Sequence, residues 1–164
     1  MAEIDSELAE VYLHPGESYF ARQPALIRTI LGSCVGATFW SARLGVGALT
    51  HSQLPRCPAN AARLSVAEGR RYVDFAIRDV ARQFDALGVP RSEVQVKLFG
   101  GADVLLVGDE ATSKPTVGKM NCEAAMEVLR EEGFQVVASS LGGTAGLNLR
   151  LDTRNGEVRL RRLG

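Results

Sequence analysis

A cysteine and a histidine, seventeen positions apart, are the residues of this sequence best suited to chemistry. Cys34 follows the small residues Gly32 and Ser33, and His51 lies in the segment 50–55. A thiol is a strong nucleophile only as the thiolate, and a neighbouring imidazole can accept its proton. If the fold brings the two side chains together, they form a thiol–imidazole pair suited to acyl transfer.

Both residues also have a simpler explanation. A lone cysteine is most often a buried structural thiol, and a lone histidine is usually a surface or hydrogen-bonded residue. Gly32 and Ser33 favour the nucleophile interpretation of Cys34, because a turn can present backbone N–H groups to the oxyanion of a tetrahedral intermediate. The second histidine, His14, lies in an N-terminal turn and is interpreted as structural.

Length and composition indicate one globular domain over residues 1–164, with the acidic residues 1–10 expected to be frayed. Of the 164 residues 46% are apolar and 23% are charged, as is usual for such domains. The formal net charge of zero argues against a nucleic-acid partner but leaves a local basic patch open. Without a signal peptide or an apolar run of about 20 residues, we expect a cytoplasmic protein without direct membrane insertion.

The three cysteines do not indicate a disulfide or a metal site. An odd number cannot all pair within one chain, and in a reducing compartment they are expected as thiols. The Cys and His residues also lack the paired C-x2-C and H-x3-H spacings of zinc sites. The spacing therefore predicts no metal site.

Strand-like segments flank both candidate residues. Residues 25–31 form an apolar segment that ends at the Gly32-Ser33 turn, and residues 35–40 alternate in polarity. Residues 44–50, rich in glycine and apolar side chains, are predicted to form the hairpin partner. Cys34 is thus expected between two strands, and His51 at the end of a third.

The rest of the chain predicts two main helices and further strands. Ser65 and Glu68 have capping-box spacing ahead of an amphipathic helix that ends at Gly88, and Asn121 is predicted to cap a second helix. Residues 94–98 and 135–140 are predicted strands, residues 108–116 a polar loop, and residues 147–160 a hairpin. The predicted fold class is α/β: a single layered domain with a mixed, largely antiparallel sheet packed with two main helices.

Five segments, in this order, resemble the CheD family of chemoreceptor glutamine deamidases. They are LGSCVG at 31–36, THSQLP at 50–55, KLFGGA at 97–102, VGKMN at 117–121 and GGTAG at 142–146. Each motif is weak alone, but their order and spacing over residues 10–162 are specific. The resemblance implies a layered α/β fold, in agreement with the pattern of predicted elements.

The resemblance also implies roles for individual residues. Cys34 corresponds to the nucleophile and His51 to the general base, and a threonine upstream of the cysteine orients the imidazole. The characteristic family form places that threonine six residues before the cysteine, where this chain has Arg28, and a shorter family form places it five residues before, at Thr29, which is our choice. The residues assigned to substrate binding are Gly32, Ser33, Phe99, Gly100 and Gly101.

The activity implied by the resemblance is hydrolysis of glutamine side-chain amides in the cytoplasmic domains of chemotaxis receptors, giving glutamate and ammonia without a cofactor. The alternative is an adaptor that binds and regulates a CheC-type phosphatase, with little catalysis of its own. A cysteine peptidase is disfavoured, because nothing in the sequence indicates an extended peptide cleft. The receptors are the expected substrate partners, and the CheC-type phosphatase is a further expected partner.

Overall fold

The computed structural model describes residues 8–103 and 115–164, in which the strands form two sheets. The strands are β1 (Ala9–Leu13), β2 (Ser18–Ala21), β3 (Ala25–Leu31), β4 (Val35–Ser41), β5 (Val46–Thr50), β6 (Gln95–Gly100), β7 (Val136–Leu141), β8 (Leu147–Asp152) and β9 (Glu157–Arg162). The α-helices are α1 (Val66–Gly69), α2 (Val73–Ala86) and α3 (Val117–Glu131), and short 3-10 turns cover Ala61–Arg63 and Arg91–Glu93.

One sheet has four strands in the order β1-β3-β8-β9, and the other has five in the order β2-β5-β4-β6-β7. Among these pairings, β1 with β3 and β6 with β7 are parallel, and the others are antiparallel. This confirms the predicted α/β class with mixed, largely antiparallel pairing. The strand pattern did not show that the chain changes sheets at the Gly32-Ser33-Cys34 turn, between β3 and β4.

The molecule has three layers, and the second sheet is the middle one. On one face of that sheet Phe39 of β4 packs with Phe84 of α2 and Val128 of α3. On its other face Leu49 and Phe99 pack with apolar side chains of the four-stranded sheet. Burial of each such side chain stabilises the fold by about 1.5–3 kcal/mol. The remaining face of the four-stranded sheet is open to solvent, as the alternating burial of β3 shows.

Two helix starts differ from the sequence prediction. The Ser65–Glu68 capping box is present, but it begins the four-residue α1, and the amphipathic α2 starts separately at Val73. The prediction that Asn121 caps the second helix is wrong. The cap of α3 is Thr116, whose side chain accepts a hydrogen bond from the Lys119 N–H, and Asn121 lies fully buried one turn inside the helix.

The amino-terminal prediction also needs correction. Ala9 and Glu10, expected to be frayed, belong to β1, which pairs with β3. No strand was predicted in residues 9–21, where β1 and β2 lie. Residues 1–7, and most of the predicted loop 108–116, lie outside the described residues. Within the described ranges, no helix is long and apolar enough to cross a membrane.

Candidate active site

Cys34 lies at the end of the turn where the chain passes from the four-stranded to the five-stranded sheet. Two backbone hydrogen bonds hold this turn against the segment that follows β6. The Gly101 N–H donates to the Cys34 carbonyl at 2.9 Å, and the Ala102 N–H donates to the Gly32 carbonyl at 2.9 Å. The segment that follows β6, more than sixty residues further along the chain, therefore holds the Cys34 turn in position.

This support requires glycine at two positions. Gly100 and Gly101 have φ angles of 103° and 67°, which side-chain-bearing residues rarely adopt. A Cβ on Gly100 would collide with the Cys34 carbonyl oxygen, and a Cβ on Gly101 would collide with the Cys122 sulfur. Phe99, only 4% exposed, packs between the two sheets. The contacts of residues 99–101 are thus with the Gly32-Ser33-Cys34 turn and the core, and their direct contact with substrate stays a prediction.

Cys34 and His51 lie on the same face of one antiparallel bridge. Val35 and Ser52 exchange two backbone hydrogen bonds, each 3.0 Å long. Cys34 and His51 are the residues immediately before Val35 and Ser52, so they are diagonal neighbours whose side chains emerge on the same side. Such diagonal positions are about 7–8 Å apart, with Cβ atoms somewhat closer. The fold therefore brings the predicted nucleophile and base to one place.

Thr29 extends from β3 to the imidazole. Its Oγ1 lies 2.6 Å from His51 Nδ1 and 2.8 Å from the Leu13 carbonyl oxygen, and both side chains are buried. The carbonyl can only accept, so the threonine hydroxyl donates to Leu13 and its oxygen accepts from the His51 Nδ1–H. This assigns the tautomer with the lone pair on Nε2. Arg28, the alternative position for the threonine, is exposed on the opposite face of β3.

Burial sets the protonation state of the pair. It lowers the pKa of His51 from 6.5 to about 4, an effect that the Glu17 carboxylate opposes and His14 adds to. Burial also raises the pKa of the Cys34 thiol above 9.0, although its own backbone N–H acts in the opposite direction. At neutral pH the resting pair is thus a thiol beside a neutral imidazole. Such an imidazole is competent to accept the thiol proton as the attack occurs.

Asn121 is a site residue whose role the sequence reasoning missed. Its side chain is fully buried, and Nδ2 donates to the carbonyl oxygens of Ser33 and Gln53, each at 3.0 Å. One amide thus joins the Gly32-Ser33-Cys34 turn to the segment that follows His51. In a planar trans peptide the carbonyl and the next N–H point in opposite directions, so the Cys34 N–H points away from Asn121. The signal was present in the VGKMN motif, which was interpreted there as a helix start.

The other two cysteines have different surroundings. Cys57 follows the histidine segment, and burial together with the Asp74 carboxylate raises the pKa of its thiol to about 11. Cys122 is half-buried on α3, where burial raises the pKa of its thiol. Among the described residues, no group of three or more His, Cys, Asp or Glu side chains is arranged to hold a metal ion.

Comparison with known proteins identifies the family. The family model described as CheD chemotactic sensory transduction matches residues 54–162. A protein of Geobacter sulfurreducens, named a probable chemoreceptor glutamine deamidase CheD 2, is 40% identical over 96% of this chain and 92% of its own length. This chain belongs to the CheD family. The CheD resemblance of the sequence motifs is thereby confirmed.

Further CheD relatives match nearly end to end. The probable chemoreceptor glutamine deamidase CheD of Maridesulfovibrio salexigens is 34% identical over 99% of this chain and 97% of its own length. That of Oleidesulfovibrio alaskensis is 38% identical over 94% of this chain and 73% of its own length. These matches include the segments of Cys34 and His51, which precede the residues that the family model covers.

One solved structure is similar in fold. The crystal structure of the Bacillus licheniformis hypothetical protein YfiH superposes with a TM-score of 0.52 and covers 78% of this CheD chain. It is 11% identical in sequence, and the match covers 51% of that protein, about half of its length. At this identity the similarity concerns the fold alone.

Proposed function

We propose that this chain is a chemoreceptor glutamine deamidase that converts glutamine side chains of chemotaxis receptors to glutamate. The observation that carries the proposal is the buried contact of 2.6 Å between Thr29 Oγ1 and His51 Nδ1, which leaves the Nε2 lone pair available. A buried imidazole of this tautomer beside a cysteine is the arrangement that amide hydrolysis through a thioester requires. The names of the CheD relatives supply the substrate class.

In the proposed reaction Cys34 Sγ attacks the carbon of the glutamine side-chain amide while His51 Nε2 takes the thiol proton. The C–N bond then breaks, and the imidazolium returns the proton to the departing nitrogen, which leaves as ammonia. Water, deprotonated by the same imidazole, attacks the thioester; its C–S bond breaks, glutamate forms and the thiol is regenerated. Every proton is supplied by the thiol or by water, so the cycle needs no cofactor.

The negative oxygen of both tetrahedral intermediates needs a hydrogen-bond donor. We propose the Cys34 N–H, which the Asn121–Ser33 hydrogen bond directs away from α3. Among the described residues, no oxygen of another residue accepts a bond from this N–H or from the Ser33 N–H. Gly32 and Ser33 would then line the substrate site, supported from beneath by residues 99–101.

The test is deamidation of a purified receptor cytoplasmic fragment, measured by mass spectrometry. Replacement of a side-chain NH2 by OH increases the mass of the fragment. Cys34→Ala should abolish the increase, since a methyl group cannot form the thioester. The matched control is Cys57→Ala, because Cys57 has a thiol pKa of about 11 and should not contribute to turnover. Turnover by Cys34→Ala at the native rate would refute the assignment, and a cleaved backbone would indicate a peptidase.

The receptor substrate also suggests where the enzyme acts. Because the expected substrate domains are cytoplasmic, we propose that the reaction takes place in the cytoplasm, where the three cysteines would remain thiols. The CheC-type phosphatase stays a prediction from the family resemblance. If the chain acts instead as an adaptor, Cys34→Ala should preserve signalling. A chemotaxis assay of cells in which the variant replaces the native protein would measure this.

A further inference from the structure

The solvent-exposed face of the four-stranded sheet carries a row of arginines. Arg28 of β3 lies directly opposite Arg150 of β8, which in turn lies directly opposite Arg159 of β9. A fourth arginine, Arg161 of β9, lies one row closer to the Cys34 turn. In that row it is opposite Asn148 of β8. On β3 and β8 the neighbours of Arg28 and Arg150 are buried, so these two arginines project from the outer face, and the register places Arg159 and Arg161 of β9 on the same face.

Like charges directly opposite one another in a sheet are destabilising, so this row calls for a compensating anion. The nearby acids compensate only part of this charge: Glu157 forms a 2.6 Å ion pair with Arg159 of the row itself, and Asp152 forms a 2.9 Å ion pair with Arg154. Within the described residues, no carboxylate lies at ion-pair distance from Arg28, Arg150 or Arg161. Instead, these arginines line a shallow depression of about 330 Å³.

We propose that this arginine face, defined by Arg28, Arg150, Arg159 and Arg161, docks an acidic segment of the protein substrate next to the glutamine that enters the active site. The inference rests on the proposed deamidase function. Guanidinium groups form two parallel hydrogen bonds with carboxylates, which makes arginine well suited to such a segment. An acidic partner would relieve the repulsion that the free protein carries.

The position of the face favours the substrate as the occupant. Arg28 and Ile30 project outward from β3, and this strand leads through Leu31 directly into the Cys34 turn. Six residues of extended chain span at most about 20 Å, so a segment docked on Arg28 can place a glutamine at Cys34. Tyr12 and Ile30, each 44% exposed, lie beside the arginines and give the mixed aromatic, apolar and arginine character of protein interfaces.

The charges on the face are also polarised along the strands. In the row beyond Arg28 and Arg150, on the side away from Cys34, lie the acidic residues Glu10, Asp152 and Glu157. An acidic segment is attracted near the active site and repelled at the far end, so the face sets the position and direction of the bound segment.

The test compares two triple variants that lose the same charge. Arg28→Gln, Arg150→Gln and Arg161→Gln together remove from the proposed face the three arginines that form no ion pair with a carboxylate of the described residues. The control triple is Arg43→Gln, Arg82→Gln and Arg130→Gln, three exposed arginines in the layers of the second sheet and the helices. For the receptor fragment, the first triple should raise KM on the order of tenfold and reduce its salt dependence, whereas the control should do neither. The loss should lie in KM rather than in kcat.

Binding separates failure of this proposal from failure of the deamidase assignment. Calorimetry with the receptor fragment, in a Cys34→Ala background, should show the same order-of-magnitude loss of affinity with the first triple. That loss would support docking even if the native protein does not deamidate the fragment. Native deamidation together with equal KM and affinity in both triples would overturn the proposal. A third outcome concerns the chain's own acidic amino-terminal segment. If removal of residues 1–7 lowers KM, that segment occupies the arginine face in competition with substrate, and this result would also overturn the proposal.

Discussion

Replacement of His51 by asparagine should make the stability of the protein less sensitive to acid. The buried imidazole has a pKa of about 4 in the folded protein, against an ordinary value of 6.5. Between these two values the unfolded chain binds a proton at this residue that the folded chain does not, so the free energy of unfolding falls as the pH falls. The contribution is fully present above pH 6.5 and is lost toward pH 4.

The size of the effect follows from the shift. The difference between 6.5 and about 4, at 1.36 kcal/mol for each pKa unit, corresponds to about 3 kcal/mol. Asparagine suits the test because its amide can still donate to Thr29 Oγ1 but does not titrate. Its smaller volume costs some stability at every pH, so the quantity to compare is the change of stability with pH and not its absolute value.

The measurement is urea unfolding at a series of pH values from 7 down to 4. The native protein should lose about 3 kcal/mol more than His51→Asn over this range. Parallel loss of stability in the native protein and in His51→Asn would refute the assignment of a buried, neutral imidazole.

Three further predictions concern the same site. Thr29→Val should lower kcat, but by less than the contribution of a general base, which is about 10²–10⁴-fold. Thr29→Ser keeps a hydroxyl and should retain most of the native kcat. Equal kcat in the two variants would contradict an orienting role for the hydroxyl. Asn121→Ala should reduce the free energy of unfolding by about 2–4 kcal/mol in urea titrations, because the carbonyls of Ser33 and Gln53 both lose their donor. A variant with native stability and native kcat would exclude a positioning role for Asn121. Iodoacetamide alkylation of Cys34, followed by mass spectrometry, should keep accelerating above pH 9, since burial raises the thiol pKa; a plateau below pH 8 would disagree.

Much of the local structure follows from side-chain pattern. The strand predicted over residues 25–31 has the same bounds as β3, because buried and exposed side chains alternate along it. Cys34 and His51 were chosen as candidate site residues from sequence, since each stands in a short motif next to a strand-like segment. The strands β1 and β2 were not predicted, because they are short and their sequences carry no clear alternation. Pairing with β3 and β5 stabilises them.

Asn121 shows where local sequence fails. An asparagine just before a run of helical apolar residues resembles a cap, and no short-range signal distinguishes it from a buried residue. Its hydrogen bonds reach Ser33 and Gln53, which are 88 and 68 positions away in the chain. Only the packing of α3 against the turn between the two sheets brings these groups together.

The sequence by itself determined the chemistry available to this protein: one thiol on a small turn, one imidazole at a strand end, and a threonine on the strand before them. The tertiary structure decided how that chemistry is arranged, since Thr29 meets His51 only because the two sheets pack face to face. It likewise aligned Arg28, Arg150 and Arg159 across three strands. The physical reason is that packing over the whole core decides which distant strands pair. The sequence around any one residue therefore carries no local pattern that names its partner strand.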